Sequence, residues 1–198
     1  MVTKKSLVFV DVDTQFDFMD PKGSLYVPGA SEIVPNLEKL IDFAKKNDIP
    51  VVASVDAHPQ DDPEFAQFPP HCVRSTPGQR KIAATSLESA VVVAESAQLA
   101  TLPRAGSVVL EKTIFSLFGN KSADALFRNL EADRYVVFGV ATDYCVKAAA
   151  LGLLERGYSV AVVEDAISGV TAEGSAAAIE EMKSAGAEIV RTADVLSW

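Results

Sequence analysis

The chain alternates between short apolar runs and longer segments in which apolar residues recur at helical spacing. The short runs are rich in β-branched residues and predict six strands, at 6–12, 49–58, 107–112, 135–141, 158–165 and 187–191. The longer segments predict helices at 31–48, 122–132, 142–157 and 171–186. Ser31 is the expected cap of the first helix, and Gly157 and Gly186 are placed to end the last two. The stretch 85–101 is ambiguous between helix and irregular structure.

This alternation of strands and helices determines the expected fold class. Short strands joined by helices form right-handed βαβ units, which build a parallel sheet covered by helices on both faces. We therefore expect an α/β fold, a Rossmann-like three-layer α/β/α sandwich around a mostly parallel six-stranded sheet, with residues 1–198 forming a single domain. Ligands of such sheets bind beyond the carboxyl ends of the strands, so candidate functional residues are sought there.

The composition narrows the classes of function. The 198 residues are 48% hydrophobic and carry a net charge of −9, which argues against disorder and against binding to nucleic acid or to anionic membranes. The two cysteines form neither a zinc-finger spacing nor a dense disulfide framework. No apolar run approaches the length of a membrane span or of a signal-peptide core. We expect a soluble cytoplasmic protein.

Both histidines of the chain lie in one segment that begins at the end of the second predicted strand. Asp56 and His58 are two positions apart, so on an extended strand their side chains share one face. His71 follows in the proline-rich loop, and Glu64 lies between the two histidines. Two imidazoles and a carboxylate suit a divalent Zn, Mn or Fe ion, with Glu64 as a further candidate ligand. The alternative is a solvated strand end followed by an exposed loop histidine.

Cys145 lies where the pattern changes from the fourth predicted strand to a helix. At a helix N-terminus the helix dipole lowers the pKa of a thiol, and nearby backbone N–H groups can bind an oxyanion. Cys145 could therefore be a nucleophile, or it could be a small buried core residue. The other cysteine, Cys72, is at no predicted helix start and receives no catalytic role.

If both histidines bind metal, a carboxylate has to serve as the base for Cys145. Asp11 and Asp13 stand at the end of the first predicted strand, and Lys112 at the end of the third could keep such a carboxylate ionised. The residues alone do not choose between Asp11 and Asp13. Lys112 could instead be a surface lysine at a strand end.

Six motifs follow one another along nearly the whole chain. They are DTQFDF at 13–18, GSLYVPGA at 23–30, DAHP at 56–59, FPPHCVRSTPG at 68–78, EKTIFSLF at 111–118 and GVATDYCV at 139–146. In this order they resemble the motifs of the nicotinamidase branch of the isochorismatase-like cysteine hydrolase family. The register of the first motif matches Asp13, and not Asp11, to the family's catalytic aspartate.

The resemblance implies a catalytic triad and an oxyanion hole. Asp13 would be the general base, Lys112 the third member of the triad and Cys145 the nucleophile. A cis peptide bond would precede Ala141, and the N–H groups of Ala141 and Cys145 would form the oxyanion hole.

The resemblance also implies a metal site and a ring-binding pocket. Asp56, His58 and His71 match the metal ligands, and Glu64 stands where some members have a third histidine and others a glutamate. Zinc is expected ahead of manganese or iron. Phe18 matches the family's aromatic residue and Phe68 stands where many members have tryptophan, so both would hold a flat ring.

The implied activity is hydrolysis of nicotinamide to nicotinate and ammonia through a cysteine thioester, with pyrazinamide as a related substrate and NAD salvage as its setting. Family members often form dimers or tetramers, so a homo-oligomer is expected. One alternative is a metal-free relative that cleaves another amide, a ureide or a vinyl ether. Another is a non-catalytic binding or redox-sensing module in which Cys145 is the sensor thiol.

Overall fold

The computed structural model describes residues 6–99 and 106–198. Within these residues seven parallel strands form one sheet with the order β3-β4-β2-β1-β5-β6-β7. The strands are β1 Leu7–Val12, β2 Val51–Asp56, β3 Val91–Val93, β4 Ser107–Lys112, β5 Arg134–Val140, β6 Val160–Ser168 and β7 Glu188–Val190. The helices are α1 Phe16–Met19, α2 Ala30–Lys46, α3 Ala123–Leu130, α4 Lys147–Glu155, α5 Ala172–Ser184 and α6 Thr192–Val195.

Helices cover both faces of the sheet, which confirms the predicted three-layer α/β/α class. Alternate residues of β1 point to opposite faces, so Val8 and Val10 pack with Phe127 of α3 and Leu153 of α4. Phe9 packs on the other face, in the buried cluster that includes the α2 side chains. All of β1 is buried because it lies in the middle of the sheet, and apart from Asp11 its sequence is apolar.

The structure adds one strand to the six that were predicted. Strand β3 lies inside the stretch 85–101 and pairs only with β4, at the edge of the sheet. Val91 and Val92 are exposed and only Val93 is buried, so the segment has neither the alternation nor the length of a clear strand.

Two predictions about helix ends have different outcomes. Gly157 and Gly186 follow the last residues of α4 and α5 with φ angles of 81° and 108°, as predicted. The predicted Ser31 cap is wrong: α2 begins at Ala30, its N-cap is Gly29, and Ser31 lies in the first turn with its hydroxyl 3.0 Å from that of Tyr26. Among the described residues no helix has the length and apolar character needed to span a membrane.

Candidate active site

The carboxyl ends of four neighbouring strands bring the candidate residues together. Asp13 directly follows β1, Asp56 ends β2, Lys112 ends β4, and Cys145 follows β5. These strands are adjacent and parallel in the sheet, so all four ends meet at one edge. The crevice predicted from the sequence is therefore present in the fold.

Lys112 lies at the centre of this group. Its Nζ is 2.8 Å from Asp13 Oδ2, 3.7 Å from Cys145 Sγ, and hydrogen-bonded to Asp56 Oδ1. The Lys112 side chain is fully buried, so the alternative of a surface lysine is wrong. A buried ammonium with two carboxylate partners is a tightly constrained arrangement, because each charge needs the others to remain buried.

The structure also separates Asp13 from Asp11. Asp13 has a positive φ of 50°, which turns its side chain into the crevice, where Oδ1 accepts a hydrogen bond of 2.7 Å from Ser54 Oγ. Asp11 instead pairs with Lys81 at 2.7 Å and accepts from Thr14 Oγ1, outside the crevice residues. Asp13 is thus the carboxylate beside Lys112 and Cys145.

Burial and neighbouring charges act on three groups in the crevice, and the net pKa of each is raised. Burial raises the pKa of Asp13 and, with Asp56 nearby, Lys112 only partly offsets this. Burial lowers the pKa of Lys112, but Asp13 and Asp56 raise it more, so its net pKa is well above the usual value and the ammonium stays charged. Burial also raises the pKa of the Cys145 thiol, with Lys112 opposing it. The resting thiol is therefore protonated and needs a base, which differs from the lowered pKa expected at a helix start.

Cys145 lies in a wide π-type turn, Thr142–Val146, that connects β5 to α4. The Ala141 carbonyl at its start accepts hydrogen bonds from the N–H groups of Tyr144 and Val146, both at 3.1 Å. The Val140–Ala141 peptide bond is cis, as the resemblance implies. Cys145 is 7% exposed, so a small ligand in the adjoining cavity can reach its sulfur.

Three predicted metal ligands lie together next to the triad. The nearest ligand atoms of Asp56, His58 and His71 all lie within 4.8 Å of one another, with Asp56 Oδ2 at 3.8 Å from His58 Nε2 and 4.0 Å from His71 Nε2. His58 Nδ1 is 2.9 Å from Asp62 Oδ2, and His71 Nδ1 is 2.8 Å from the Pro69 carbonyl. Both Nδ1 atoms therefore face acceptors, which leaves Nε2 of each ring as the ligand atom.

A buried ring nitrogen without a hydrogen-bond partner supports the assignment of Nε2 as the ligand atom. His58 Nε2 is buried and has no hydrogen-bond partner among the described residues. Burying an unpaired ring nitrogen is unfavourable unless it has a ligand, and one carboxylate with two imidazoles is a donor set that divalent zinc, manganese or iron accepts. The residues present thus fit a divalent metal ion.

The remaining predicted residues line the adjoining cavity. The cavity has a volume of about 130 Å³, comparable with the roughly 150 Å³ cavity that holds benzene in other proteins. Phe18, Phe68 and Glu64 are in its wall with Ala141 and Cys145. The rings of Phe18 and Phe68 lie 5.4 Å and 6.5 Å from the imidazole of His71. Glu64 groups with His58 and Asp62 rather than with the main trio.

The sequence did not identify two residues that fix side chains of the candidate site by hydrogen bonds. Ser54 fixes Asp13, and it stands two positions before Asp56 on the same face of β2, which is the signal that could have found it. Asp62 fixes the His58 ring across the turn that follows β2. Nothing in the sequence distinguishes Asp62 from its neighbour Asp61, since the choice depends on the course of the loop.

Comparison with known proteins identifies the family. Residues 6–194 match the isochorismatase domain. The nicotinamidase of Escherichia coli (strain K12) is 35% identical, with 92% of this chain and 93% of the relative covered, and the nicotinamidase/pyrazinamidase of Mycobacterium tuberculosis is 31% identical, with 94% and 98% covered. The crystal structure of the pyrazinamidase of Pyrococcus horikoshii in complex with zinc has a TM-score of 0.81 at 31% identity, over 94% of this chain and 99% of that one. A match over nearly the whole chain, with the same fold, means that this protein belongs to the isochorismatase domain family.

Proposed function

We propose that the protein is a metal-dependent nicotinamidase that hydrolyses nicotinamide to nicotinate and ammonia through a thioester on Cys145. The observation that carries the proposal is one cavity wall on which Cys145, with Asp13 and Lys112 behind it, adjoins the trio of Asp56, His58 and His71. The relatives from Escherichia coli and Mycobacterium tuberculosis, named nicotinamidase and nicotinamidase/pyrazinamidase, support the same substrate class. Pyrazinamide is a second proposed substrate.

Asp13 acts as the general base in this proposal. Its carboxylate takes the proton of the Cys145 thiol as the sulfur forms a bond to the carboxamide carbon. A carboxylate with a raised pKa suits this task, because its proton affinity is closer to that of the thiol than an ordinary aspartate's is. Lys112 stabilises the charges of Asp13 and of the developing thiolate.

The N–H groups of Ala141 and Cys145 are the proposed oxyanion donors. As the C–N bond breaks, the leaving nitrogen takes the proton held by Asp13 and departs as ammonia. Water then attacks the thioester, Asp13 accepts a proton from it, and that proton returns to the sulfur as nicotinic acid leaves and loses its proton to solvent as nicotinate. The triad regenerates without a net change in charge.

Asp56, His58 and His71 are the proposed ligands of the metal, with Glu64 as a further candidate. When bound, the ion supplies a Lewis-acid position that can hold a pyridine nitrogen or a water molecule. Zinc is the first candidate, because a pyrazinamidase of similar fold was crystallised with zinc, and manganese and iron suit the same donors. Phe18 and Phe68 would hold the ring from the cavity wall.

The first test is ammonia release from nicotinamide by purified protein, measured as isolated, after removal of divalent metal with a chelator, and after metal is returned. We expect release that is lost on removal and restored on return. Release without any metal would support the metal-free alternative within the family. A metal-loaded protein that releases no ammonia from nicotinamide or pyrazinamide would contradict the proposed substrate class.

The nucleophile is tested with a matched pair of cysteine variants. Cys145→Ala should lower turnover by more than about 10⁴-fold and leave metal binding intact, because the variant loses the atom that attacks the substrate. Cys72→Ala removes the other thiol, which is fully buried and has a pKa raised by burial, and should keep turnover within a few-fold. If Cys145→Ala kept turnover within a few-fold of wild type, as Cys72→Ala is expected to, Cys145 would be excluded as the nucleophile.

A further inference from the structure

We propose that Gln15 and Asp17, in the segment that follows β1, are positioning residues for the metal site. Neither side chain is a candidate ligand, yet together they fix the backbone of all three candidate ligands, Asp56, His58 and His71. The inference rests on the proposed function, because it concerns the same metal site.

The side-chain amide of Gln15 binds both backbone groups of Asp56, its N–H and its carbonyl. Its Oε1 accepts a hydrogen bond of 2.7 Å from the Asp56 N–H, and its Nε2 donates one of 2.8 Å to the Asp56 carbonyl. The same Nε2 donates to the Gln79 carbonyl at 2.8 Å. Gln15 is fully buried, so water cannot replace these bonds without a change in the fold. One amide therefore fixes the end of β2 at the residue that supplies the carboxylate ligand.

Asp17 holds the loop that carries His71. Its Oδ2 accepts a hydrogen bond of 2.7 Å from the Cys72 N–H, which belongs to the peptide bond joining His71 to Cys72. Its Oδ1 accepts from the Ser24 N–H at 3.1 Å. Bonds from a carboxylate to backbone N–H groups are charge-assisted and among the stronger hydrogen bonds. The His71 end of the loop is thus attached to the segment after β1.

Cys72 extends this attachment to His58. Its carbonyl accepts a hydrogen bond of 3.2 Å from the His58 N–H, while the His58 carbonyl accepts one of 2.9 Å from Arg74 N–H. His58 and His71 are therefore held in register by the same piece of backbone that Asp17 fixes. Cys72 has a positive φ of 44°, as a tight turn at this point requires.

Gly78 shows how closely the Asp17 carboxylate is packed. A Cβ placed on Gly78 would overlap the Asp17 carboxylate, so the loop can approach only because this residue has no side chain. The contacts of Asp17 are not part of the sheet, since Asp17 lies in α1, outside it. Its contacts instead join α1 to the loop between His71 and Gly78.

Three ligands from two chain segments bind a metal well only when their spacing is fixed before the metal arrives. Losing groups that orient metal ligands typically weakens metal affinity by about 10- to 100-fold. We expect that range for Gln15→Met, which keeps the length of the side chain and removes both bonds to Asp56. We expect a similar loss for Asp17→Asn, which keeps the shape and leaves only one acceptor oxygen for two N–H groups.

The experiment is a titration of metal-free full-length protein with Co²⁺, in the absence of substrate, with a competing chelator to measure affinity and with visible absorption to report the coordination geometry. Asn36→Leu is the matched control, because it removes a bond of 2.7 Å from a partly buried amide to the Asp165 carbonyl, a contact between α2 and β6. Gln15→Glu is a second variant at the first position, which keeps the acceptor for the Asp56 N–H and removes the donor. Melting temperatures are measured for every variant.

The inference predicts weaker Co²⁺ binding and an altered Co²⁺ spectrum for the Gln15 and Asp17 variants, and wild-type values for Asn36→Leu at a comparable melting temperature. Folded Gln15→Met and Asp17→Asn proteins with wild-type affinity and spectrum would overturn it, even if both had lost activity. Nicotinamide hydrolysis by the Co²⁺-loaded wild type is measured in parallel. Wild-type protein that binds Co²⁺ without hydrolysing nicotinamide would contradict the proposed function alone.

Discussion

The charge of Lys112 decides the electrostatics of the site at the scale of single residues. Its buried ammonium contacts Asp13 and Asp56, and burial of the second carboxylate is tolerable only with that cation present. For Asp56 burial raises the pKa, while Lys112 and His58 lower it more, so that its net pKa is below the usual value. Asp13 and Asp56 thus differ in proton affinity although they share one partner.

Removing the Lys112 charge should destabilise the fold as well as stop catalysis. Lys112→Met leaves two carboxylates buried together, and we expect the free energy of unfolding to fall by about 3–5 kcal/mol at pH 7. The loss should be smaller at pH 5, because the unpaired carboxylates can then take up a proton. Urea unfolding of both proteins at the two pH values measures it.

The control for Lys112→Met is Lys147→Met. Lys147 forms a salt bridge of 3.1 Å with Glu181 that is partly open to solvent, and its loss should cost less than about 1 kcal/mol. Similar losses for the two variants would mean that the buried contacts of Lys112 do not stabilise the protein.

His58 should make metal binding at the candidate site depend on pH. Burial lowers its pKa, but its contacts with Asp56 and Asp62 raise it more, to about 9 in the metal-free protein. A metal ion has to displace this proton, so affinity should fall about tenfold for each pH unit below 9 and one proton should be released per ion bound. Co²⁺ affinity and proton release, measured from below pH 7 to above pH 9 with a competing chelator, test this.

Asp62→Asn is the informative variant for this dependence. It removes one of the charges that raise the His58 pKa, so the pH at which affinity stops rising should move down. An unchanged inflection in Asp62→Asn, or a wild-type affinity that does not vary with pH, would contradict the assignment of the proton to His58.

At the scale of elements, β5 and the turn after it bring Cys145 to the edge of the sheet. Gly139 near the end of β5 has a φ of 121° and lies against the backbone of β1. The pairing register between β5 and β6 is also irregular between Val137 and Gly139. The wide turn Thr142–Val146 begins three residues after this close approach of two central strands.

A side chain at Gly139 should therefore be costly. The Cβ of Gly139→Ala would overlap the Val12 carbonyl oxygen, and backbone cannot move aside as a flexible side chain can. We expect a loss of about 3–5 kcal/mol in the free energy of unfolding, from strain at positive φ and from overpacking. Gly157→Ala is the control, since its φ is 81° but no atom lies within 4 Å of a Cβ there, and it should lose only about 1 kcal/mol. Chemical denaturation distinguishes the two.

At the scale of the whole molecule, the apolar residues that stabilise the fold and the polar residues of the candidate site lie in different parts of the sheet. The buried apolar clusters lie along the two faces of the sheet, whereas the charged and metal-ligating residues gather at the carboxyl ends of its central strands. The candidate metal ligands join β2 to the loop that ends at Gly78, so an ion bound there should stabilise the folded chain. The homo-oligomer, the cytoplasmic location and the single-domain organisation stay predictions.

Metal removal should consequently lower the melting temperature. An ion that binds only the folded chain at about 1,000 times its dissociation constant adds about 4 kcal/mol, which corresponds to roughly 8–16 °C for a chain of this size. Thermal unfolding of metal-free and zinc-loaded protein measures the difference, and His71→Ala should abolish most of it. A shift that persists in His71→Ala would place the stabilising ion elsewhere.

The sequence predicted the class of fold, and which residues meet at the carboxyl ends of the strands, more accurately than it predicted their surroundings. Strands such as 107–112 and the glycines after two helices follow from local preferences, and the structure confirms them. Strand β3 was missed because a run of three valines, two of them exposed at the sheet edge, is too short to distinguish a strand from a helix. The Ser31 cap was wrong because Gly29, at positive φ, begins the helix in its place.

By itself the sequence determined which residues are chemically able to act, because the types and order of Asp13, Asp56, His58, His71, Lys112 and Cys145 are local facts of the chain. Only the tertiary structure decided which ring nitrogens remain for a metal, that Asp56 shares Lys112 with Asp13, and that Ser54 and Asp62 fix the side chains of the site. These depend on distances between segments far apart in the chain. The pKa values also depend on the tertiary structure, since burial and neighbouring charges arise only when the strands meet.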